Sequence, residues 1–199
     1  MVNNNAKIGH KIYGYIEELM GIHRSVAVTV EDGKSIALEK GIDETFKKIL
    51  SAHKSGGKVY FVGNGGSATI ASHMAIDFWK NGGIRADAFN DAAQLTCLGN
   101  DYGYEHVFGK PIEMNGRPED VLVAISSSGK SENILNAVKA ARNKGMKVIS
   151  LSGFERENPL RNMGDVNFFV DSKGYGMVEI THLTICHAIL DLANASESR

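Results

Sequence analysis

Cysteine is scarce in this sequence, and long apolar runs are missing. The two cysteines among 199 residues, Cys97 and Cys186, lie inside apolar helical patterns without the spacing of a metal site, which favours reduced thiols in the cytoplasm. No run approaches the roughly 18 apolar residues of a membrane span, and the first residues lack the basic and apolar regions of a signal peptide. We therefore expect a cytoplasmic protein that does not enter membranes.

An excess of one charge is lacking as well. The sequence has 22 Lys and Arg against 23 Asp and Glu. It contains no basic run and no patch of basic residues interleaved with aromatic ones, so we expect no nucleic-acid partner. A length of 199 residues with 43% hydrophobic content suits one α/β domain, and we expect a single domain over residues 1–199.

Apolar periodicity predicts the order of helices and strands. Helical spacing over 8–30 and 36–53 predicts two helices that form an N-terminal extension of about residues 1–55. Strands then alternate with helices, which predicts an α/β fold with a doubly wound, five-stranded parallel sheet flanked by helices. The predicted strands are 59–62, 86–89, 121–125, 148–152 and 167–170, and the predicted helices between and after them are 67–80, 91–99, 131–144, a short one at 158 and 174–195.

The segment Ala124–Ser131 joins a predicted strand to a predicted helix and is rich in hydroxyl groups. Three serines, a glycine and a further serine follow the apolar run 120–125, and helix-forming residues begin at Glu132. Free backbone N–H groups and the positive end of the helix dipole favour a bound anion, and serine hydroxyls add further donors. The sequence therefore predicts a phosphate site and a phosphorylated ligand.

Two other interpretations of this segment stay open. Its residues fit a loose Walker A pattern, in which Ala124 stands at the first glycine and Gly129–Ser131 closes the motif. A turn of about four residues is short for wrapping a triphosphate, so hydroxyl groups here suit a monophosphate better. The serines are also good helix caps, and the turn would then do no more than begin its helix.

A glycine-rich turn, Gly63–Ser67, follows the first predicted parallel strand. Ligands collect beyond the carboxyl ends of the strands in an open parallel sheet, and glycine lets the backbone approach a ligand closely. A later loop of this kind, Gly99–Gly103, offers the amide of Asn100 and the carboxylate of Asp101 to sugar hydroxyls. Each loop alone is also typical of an ordinary turn, but two ligand-type loops in one small domain favour a binding site.

Four side chains on two predicted helices are candidates for chemistry. His73 and Asp77 stand four residues apart and share one helix face, and Glu179 lies two turns before His187 on the last helix. Two imidazoles and two carboxylates would suit a divalent metal such as zinc. The alternative is that the histidines lie in the core or an interface and the carboxylates are solvated, and His182 competes for any role given to His187.

Three of these motifs together resemble the sugar isomerase (SIS) domain family. They are Val62–Ser67 with His73 beyond it, Cys97–Gly103 and Ile125–Ser131, and the similarity extends over nearly the whole chain. The resemblance implies an aldose–ketose isomerase of a phosphorylated sugar. The expected reaction is the interconversion of sedoheptulose 7-phosphate and D-glycero-D-manno-heptose 7-phosphate, which supplies heptose for lipopolysaccharide precursors.

The resemblance also implies a role for each matching position. The sugar would contact Asn64, Gly65, Gly66, Asn100, Asp101 and Glu179. The phosphate would lie against Ser126, Ser127, Ser128 and Ser131. Zinc ligands and acid/base residues would fall on His73, Asp77, Glu179 and His187.

Two of these positions depart from the residues that are usual in the family. Asp77 stands where glutamate is usual and is one methylene shorter, and Glu179 stands where glutamine is usual and adds a negative charge. A misplacement of about one ångström can lower a rate roughly a hundredfold. The fold and the phosphate site are little affected, whereas the identity of the sugar stays open.

An aldose–ketose isomerisation moves a proton between adjacent carbons through an ene-diol. It needs a base, an acid and a group that stabilises developing negative charge, and we expect Asp77 as the base and His187 as the acid. A metal would act on the substrate oxygens. A second hypothesis is a non-catalytic SIS protein that binds a sugar phosphate or a protein partner such as the replication initiator, which would need neither the metal nor the acid/base pair.

The first predicted helix is long for a small sheet to cover. Its apolar stripe either lies on its own sheet or packs against another subunit, and excess apolar surface favours association. The resemblance implies a homotetramer with active sites near the subunit boundaries.

Overall fold

A computed structural model describes residues 2–197 of the chain, and side chains from residue 9 to residue 192. Within this range, helices flank one mixed β-sheet. The strands are β1 Ala27–Val30, β2 Ser35–Ile36, β3 Val59–Gly63, β4 Ala86–Ala88, β5 Val121–Ser126, β6 Lys147–Gly153 and β7 Val166–Val170. The helices are α1 Val2–Arg24, α2 Leu38–Lys54, α3 Gly66–Lys80, α4 Ala92–Tyr102, α5 Gly109–Asn115, α6 Glu132–Asn143 and α7 Tyr175–Glu197, with 3₁₀ turns at Tyr104–His106 and Pro159–Asn162.

The sheet has the strand order β2-β1-β7-β6-β5-β3-β4. Strands β3 to β7 are mutually parallel, so the predicted α/β class and its five parallel strands are confirmed. The predicted strand count was wrong, because β1 and β2 add an antiparallel edge beside β7. The chain moves outward from β3 to β4 and then crosses to β5 on the other side of β3, which makes the boundary between β3 and β5 the switch point in strand order.

The antiparallel edge replaces the last part of the predicted first helix. Helix α1 ends at Arg24, and the β-branched run of β1 pairs with β2 through a hairpin. Gly33 takes a positive φ of 76° in the turn, and Asp32 accepts a hydrogen bond from the Lys34 amide at 3.0 Å. Aspartate followed by glycine between apolar residues is a hairpin signal, and here it prevails over the helical spacing.

Both faces of the parallel strands β3, β5, β6 and β7 are buried under helices, whereas the edge strand β4 is partly exposed. Successive side chains of a strand point to opposite faces. On one face, Phe61 meets Phe78 of α3 edge to face, with ring centroids 5.1 Å apart, in the core that α2, α3 and α7 cover. On the other face, Tyr60 stacks on Phe89 at 5.1 Å beside α5 and α6. With helices on both faces, the loops at the carboxyl ends of these strands are the places where a ligand can reach the sheet.

Two predicted helix starts are confirmed in atomic detail. The Asp91 carboxylate accepts a hydrogen bond from the Gln94 amide at 2.9 Å and so caps α4. Pro159 is the first residue of its 3₁₀ turn after Asn158. Between α4 and β5 the chain also forms a 3₁₀ turn and α5, which the sequence did not predict.

The free thiols differ in exposure. Cys97 is exposed on α4, whereas Cys186 is buried on α7, and burial raises the pKa of the Cys186 thiol to about 12. Cys186 is therefore an apolar core residue at neutral pH. Among the described helices, none combines the length and the apolar character needed to cross a membrane.

Candidate active site

The two ligand-type loops of the sequence lie side by side at the switch point. Strands β3 and β5 are neighbours, and Gly63 pairs with Ile125 at their carboxyl ends. Each strand leads into a helix, α3 or α6, whose N-terminus has no side-chain cap in the structure of residues 2–197. Uncapped N–H groups and the positive ends of two helix dipoles therefore meet at one place, which is the arrangement that favours an anion.

A cavity of about 270 Å³ lies between these loops. Its walls are glycines, hydroxyls, one amide, one phenol and one carboxylate. The lining residues are Asn64, Gly65, Gly66, Ser67, Ser126, Ser127, Ser128, Ser131, Tyr175 and Glu179. The structure thus brings the four predicted phosphate serines together with four of the predicted sugar residues, Asn64, Gly65, Gly66 and Glu179.

The serine hydroxyls are only partly engaged within the protein. Ser126 Oγ accepts a hydrogen bond from the Gly129 amide at 3.1 Å, and Ser128 Oγ accepts one from Lys130 at 3.3 Å. Ser127 is 7% exposed, and its Oγ finds no hydrogen-bond partner among the described residues. Buried polar atoms are normally hydrogen-bonded, so the Ser127 hydroxyl fits a site that a polar ligand completes.

The shape of the serine turn depends on Gly129 and Asn158. Gly129 has a positive φ of 62°, and a Cβ there would collide with the Asn158 side chain. Asn158 is fully buried and donates to the Glu155 carbonyl at 2.8 Å, and the Leu160 amide donates to the Gly129 carbonyl at 3.1 Å. The turn is therefore held from behind by the segment after β6.

The turn between β5 and α6 lacks two features of a Walker A loop, namely the length and the position of the lysine. Strand β5 runs through Ser126, so the turn before α6 is short, as expected from the sequence. The Lys130 side chain is exposed, whereas a Walker lysine reaches the phosphates. The simple capping interpretation also fails at Ser131, whose hydroxyl makes no cap hydrogen bond to α6.

Three of the four metal candidates cluster between α3 and α7. The Nε2 atoms of His73 and His187 are 3.2 Å apart. Asp77 Oδ2 lies 3.5 Å from His73 Nε2 and 3.8 Å from His187 Nδ1. One ligand atom from each residue falls within 4.8 Å of the others, which is a group able to hold a metal ion.

Glu179, the fourth candidate, stands apart from this group. An added Cβ at Gly66 would come within 2.5 Å of the Glu179 carboxylate, so this side chain lies against the start of α3. It lines the serine cavity and also a second cavity of about 320 Å³ that His73 and Ile70 help to form. Glu179 and Gly66 therefore form the junction between the phosphate end and the histidine end of the site.

Asn100, Asp101 and His182 do not line either cavity in the described part of the chain. Asn100 and Asp101 are exposed at the end of α4, bonded to each other at 2.9 Å. His182 is fully buried, with Nε2 3.2 Å from the Ser152 carbonyl oxygen, and burial lowers its pKa to about 4. His182 is therefore a core residue, and the choice between it and His187 falls on His187.

Sequence reasoning missed three residues near the cavity. Tyr175 lines it from the start of α7. Asn133 and Tyr104 both bond to Asn64, at 2.9 Å and 3.1 Å. Tyr175 could have been found, because it follows the carboxyl end of β7, where ligands of parallel sheets collect.

Comparison with known proteins identifies the family of this fold. A family profile described as SIS domain matches residues 24–153. The chain belongs to the SIS domain family. It is 38% identical to a phosphoheptose isomerase from Enterobacter sp. (strain 638) over 150 residues, which cover 72% of this chain and 78% of the relative. A phosphoheptose isomerase from Tolumonas auensis is 34% identical over 184 residues, covering 88% and 93%.

Solved SIS structures agree with this assignment. A phosphoheptose isomerase from Neisseria gonorrhoeae superposes with a TM-score of 0.79 at 31% identity, covering 94% of this chain and 99% of that one. The superposed part of the chain is longer than residues 24–153, since it covers 94% of the chain.

Proposed function

We propose that this protein is a phosphoheptose isomerase, which interconverts sedoheptulose 7-phosphate and D-glycero-D-manno-heptose 7-phosphate for heptose precursor synthesis. The observation that carries the proposal is the pair of adjoining cavities. One is lined by serines and two helix N-termini, and the other reaches His73. A phosphate at one end and reacting carbons at the other suit an extended sugar phosphate. The curated relatives named phosphoheptose isomerase support the same substrate.

The donor set of His73, Asp77 and His187 fits a divalent metal such as zinc. Catalytic zinc sites use three protein ligands of the imidazole and carboxylate type and keep one position open. Two imidazole nitrogens on one tetrahedral zinc ion are about 3.3 Å apart, since each Zn–N bond is about 2.0–2.1 Å. The Nε2 atoms of the two histidines are 3.2 Å apart, which supports this assignment. When bound, such an ion would polarise the substrate carbonyl.

Asp77 is the proposed base of the isomerisation. Asn81 Nδ2 donates to Asp77 Oδ1 at 3.2 Å, which leaves Oδ2 directed at the two imidazoles. With a side chain 17% exposed, Asp77 is partly withdrawn from water. In this mechanism Asp77 removes the proton from one carbon of the bound sugar, and His187 donates a proton to the neighbouring oxygen.

The serine turn supplies binding energy far from the reacting carbons. Hydroxyls of Ser126, Ser127, Ser128 and Ser131 and the backbone N–H groups of α6 would bind the phosphate oxygens. Such remote binding energy orients the reacting carbons and so lowers the barrier of a step in which the phosphate takes no part. The place of Asn64, Gly65, Gly66 and Glu179 in the cavity wall supports their proposed contact with the sugar, and contact with Asn100 and Asp101 stays a prediction.

We further propose that residues 1–199 form one SIS domain that assembles as a homotetramer in the cytoplasm. Ile12, Ile16 and Met20 repeat every four residues on α1 and are 51%, 43% and 49% exposed. A helix stripe of this kind is normally buried against another element. Two cysteines without a disulfide suit a reducing compartment. Light scattering that detects an active monomer would contradict the assembly.

The experiment that tests the proposed function follows the reaction itself. The purified protein is incubated with sedoheptulose 7-phosphate and a panel of other sugar phosphates, and interconversion of ketose and aldose is followed by NMR. We expect the protein to convert the heptose phosphate in preference to hexose and pentose phosphates.

A further inference from the structure

The side-chain amides of Asn64 and Asn133 bind each other through two hydrogen bonds. Asn64 Nδ2 donates to Asn133 Oδ1, and Asn133 Nδ2 donates to Asn64 Oδ1, both at 2.9 Å. The Tyr104 hydroxyl also donates to Asn64 Oδ1, at 3.1 Å. A carbonyl oxygen has two lone pairs and an amide nitrogen two hydrogens. In this arrangement Asn64 has used both lone pairs and one hydrogen, and it keeps a single N–H for a ligand.

The pair joins the two halves of the cavity wall. Asn64 lies in the glycine-rich turn after β3, whereas Asn133 lies in the first turn of α6, two residues after Ser131. They are 69 positions apart in the sequence. Asn133 is 3% exposed and does not line the cavity, so it acts behind the wall that Asn64 forms.

We propose that Asn133 is a positioning residue of the isomerase: it fixes the Asn64 amide so that Asn64 meets the sugar only as a hydrogen-bond donor. The inference rests on the proposed function, because the sugar is the ligand that Asn64 contacts. The atom of the sugar opposite Asn64 is then an acceptor, such as a hydroxyl or carbonyl oxygen. A freely rotating Asn64 would offer donor and acceptor alike and would lose this orientation.

Removal of the Asn133 side chain should weaken substrate binding only through its effect on Asn64. In Asn133→Ala, the Asn64 amide loses two of its three hydrogen bonds and keeps only the one from Tyr104. We expect KM to rise about tenfold while kcat changes less than about threefold, as for a lost binding contact. Asn64→Ala should give a similar KM. The double variant should be no worse than either single one, because two residues that act as a unit are not additive. Asn133→Asp keeps the size and the acceptor for Asn64 Nδ2 but loses the donor to Asn64 Oδ1, so its KM should lie between those of wild type and Asn133→Ala.

The test is a double-mutant cycle of wild type, Asn64→Ala, Asn133→Ala and the double variant. Each protein is measured for KM and kcat with sedoheptulose 7-phosphate and for its dissociation constant with the same sugar phosphate by calorimetry. Val138→Ala is the matched control, since Val138 is fully buried on α6. Its truncation removes packing contacts of the same helix but leaves the hydrogen bonds between Asn64 and Asn133 in place. It should lower the melting temperature and leave KM within about twofold of wild type.

The outcomes separate this inference from the proposed function. Equal effects in the single and double variants support the positioning role. Additive effects, with KM raised about a hundredfold in the double variant, would overturn it, and so would a similar rise of KM in Val138→Ala. If the wild type binds the sugar phosphate without converting it, the proposed function fails, and the dissociation constants still decide the role of Asn133. A wild type that neither binds nor converts it would overturn both.

Discussion

His73 and His187 face each other across helices α3 and α7, with their Nε2 atoms 3.2 Å apart and their rings inclined at 60°. They are 114 positions apart in the sequence, so only the fold brings them together. Asp77 closes the group from one turn further along α3. The cluster is therefore where metal binding and proton transfer would coincide.

The first prediction concerns this metal site. Purified wild type should carry about one zinc or similar divalent ion per chain, and His73→Ala should lose both the ion and the activity, because a site with two protein ligands holds zinc poorly. His53→Ala is the control, since His53 is exposed at the end of α2. Metal analysis decides the matter: a fully active, metal-free His73→Ala would mean that the cluster is structural.

Replacing Asp77 by Glu tests the shortened base directly. A carboxylate moved outward by one methylene should come closer to the substrate carbon, so turnover of the heptose phosphate should be retained or rise by up to about a hundredfold. Asp43→Glu, the same change at an exposed site on α2, should have no effect. Lower turnover in Asp77→Glu would instead indicate a site adapted to a different sugar, with Glu179 supplying charge.

The serine turn should carry the affinity for phosphate. Ser126→Ala and Ser128→Ala should each weaken sugar-phosphate binding by about 1–3 kcal/mol, the scale of hydrogen bonds to charged groups. Ser127→Ala should weaken binding as well, yet leave the unliganded protein equally stable or more stable, because its buried hydroxyl has no partner among the described residues. Calorimetry and thermal melts measure the two effects. Lys130→Ala is the control, and unchanged affinity in all three serine variants would exclude this turn as the anchor.

Stability should fall in mild acid because of His182. Burial lowers the pKa of His182 in the folded protein from the ordinary 6.5 of a histidine to about 4, so between these values the unfolded chain binds more protons than the folded one. As far as His182 is concerned, the free energy of unfolding is highest above pH 6.5 and falls by about 3 kcal/mol in total as the pH decreases toward 4. His182→Gln keeps a donor for the Ser152 carbonyl but does not titrate, so its melting temperature should depend less on pH over this range. Identical pH profiles in His182→Gln and wild type would show that His182 does not cause the loss of stability in acid, and His53→Gln serves as the exposed control.

The parallel core could be predicted because its strands are short apolar runs that end at loops rich in glycine or serine. The same pattern placed the Gly63 and Ser126 loops at the carboxyl edge. The β1–β2 hairpin was missed, because Val26 continues the helical spacing of Met20 and His23 and so extended the predicted helix past Arg24. Beyond that point Val26, Val28 and Val30 alternate as in a strand, and the turn residues Asp32 and Gly33 complete the hairpin signal.

The candidate site was only partly predictable. His73 and Asp77 share a helix face by their spacing, and their meeting with His187 was a hypothesis that the geometry of the described residues supports. The contacts of Asn64 with Asn133 and Tyr104 could not be predicted, because they join segments 69 and 40 positions apart. Local sequence patterns do not encode hydrogen bonds between segments so far apart in the sequence. These bonds form only when the loops pack against each other.

Isomerase activity is tested by proton NMR of sedoheptulose 7-phosphate incubated with the pure protein in D₂O. We expect the anomeric signals of the aldose heptose 7-phosphate to appear, and deuterium to enter the carbon from which Asp77 removes the proton when that proton exchanges with solvent. Both changes should be abolished in Asp77→Ala. If the protein binds the sugar phosphate but forms no aldose, with and without added zinc, it is not an isomerase of this sugar but a SIS domain that binds without catalysis.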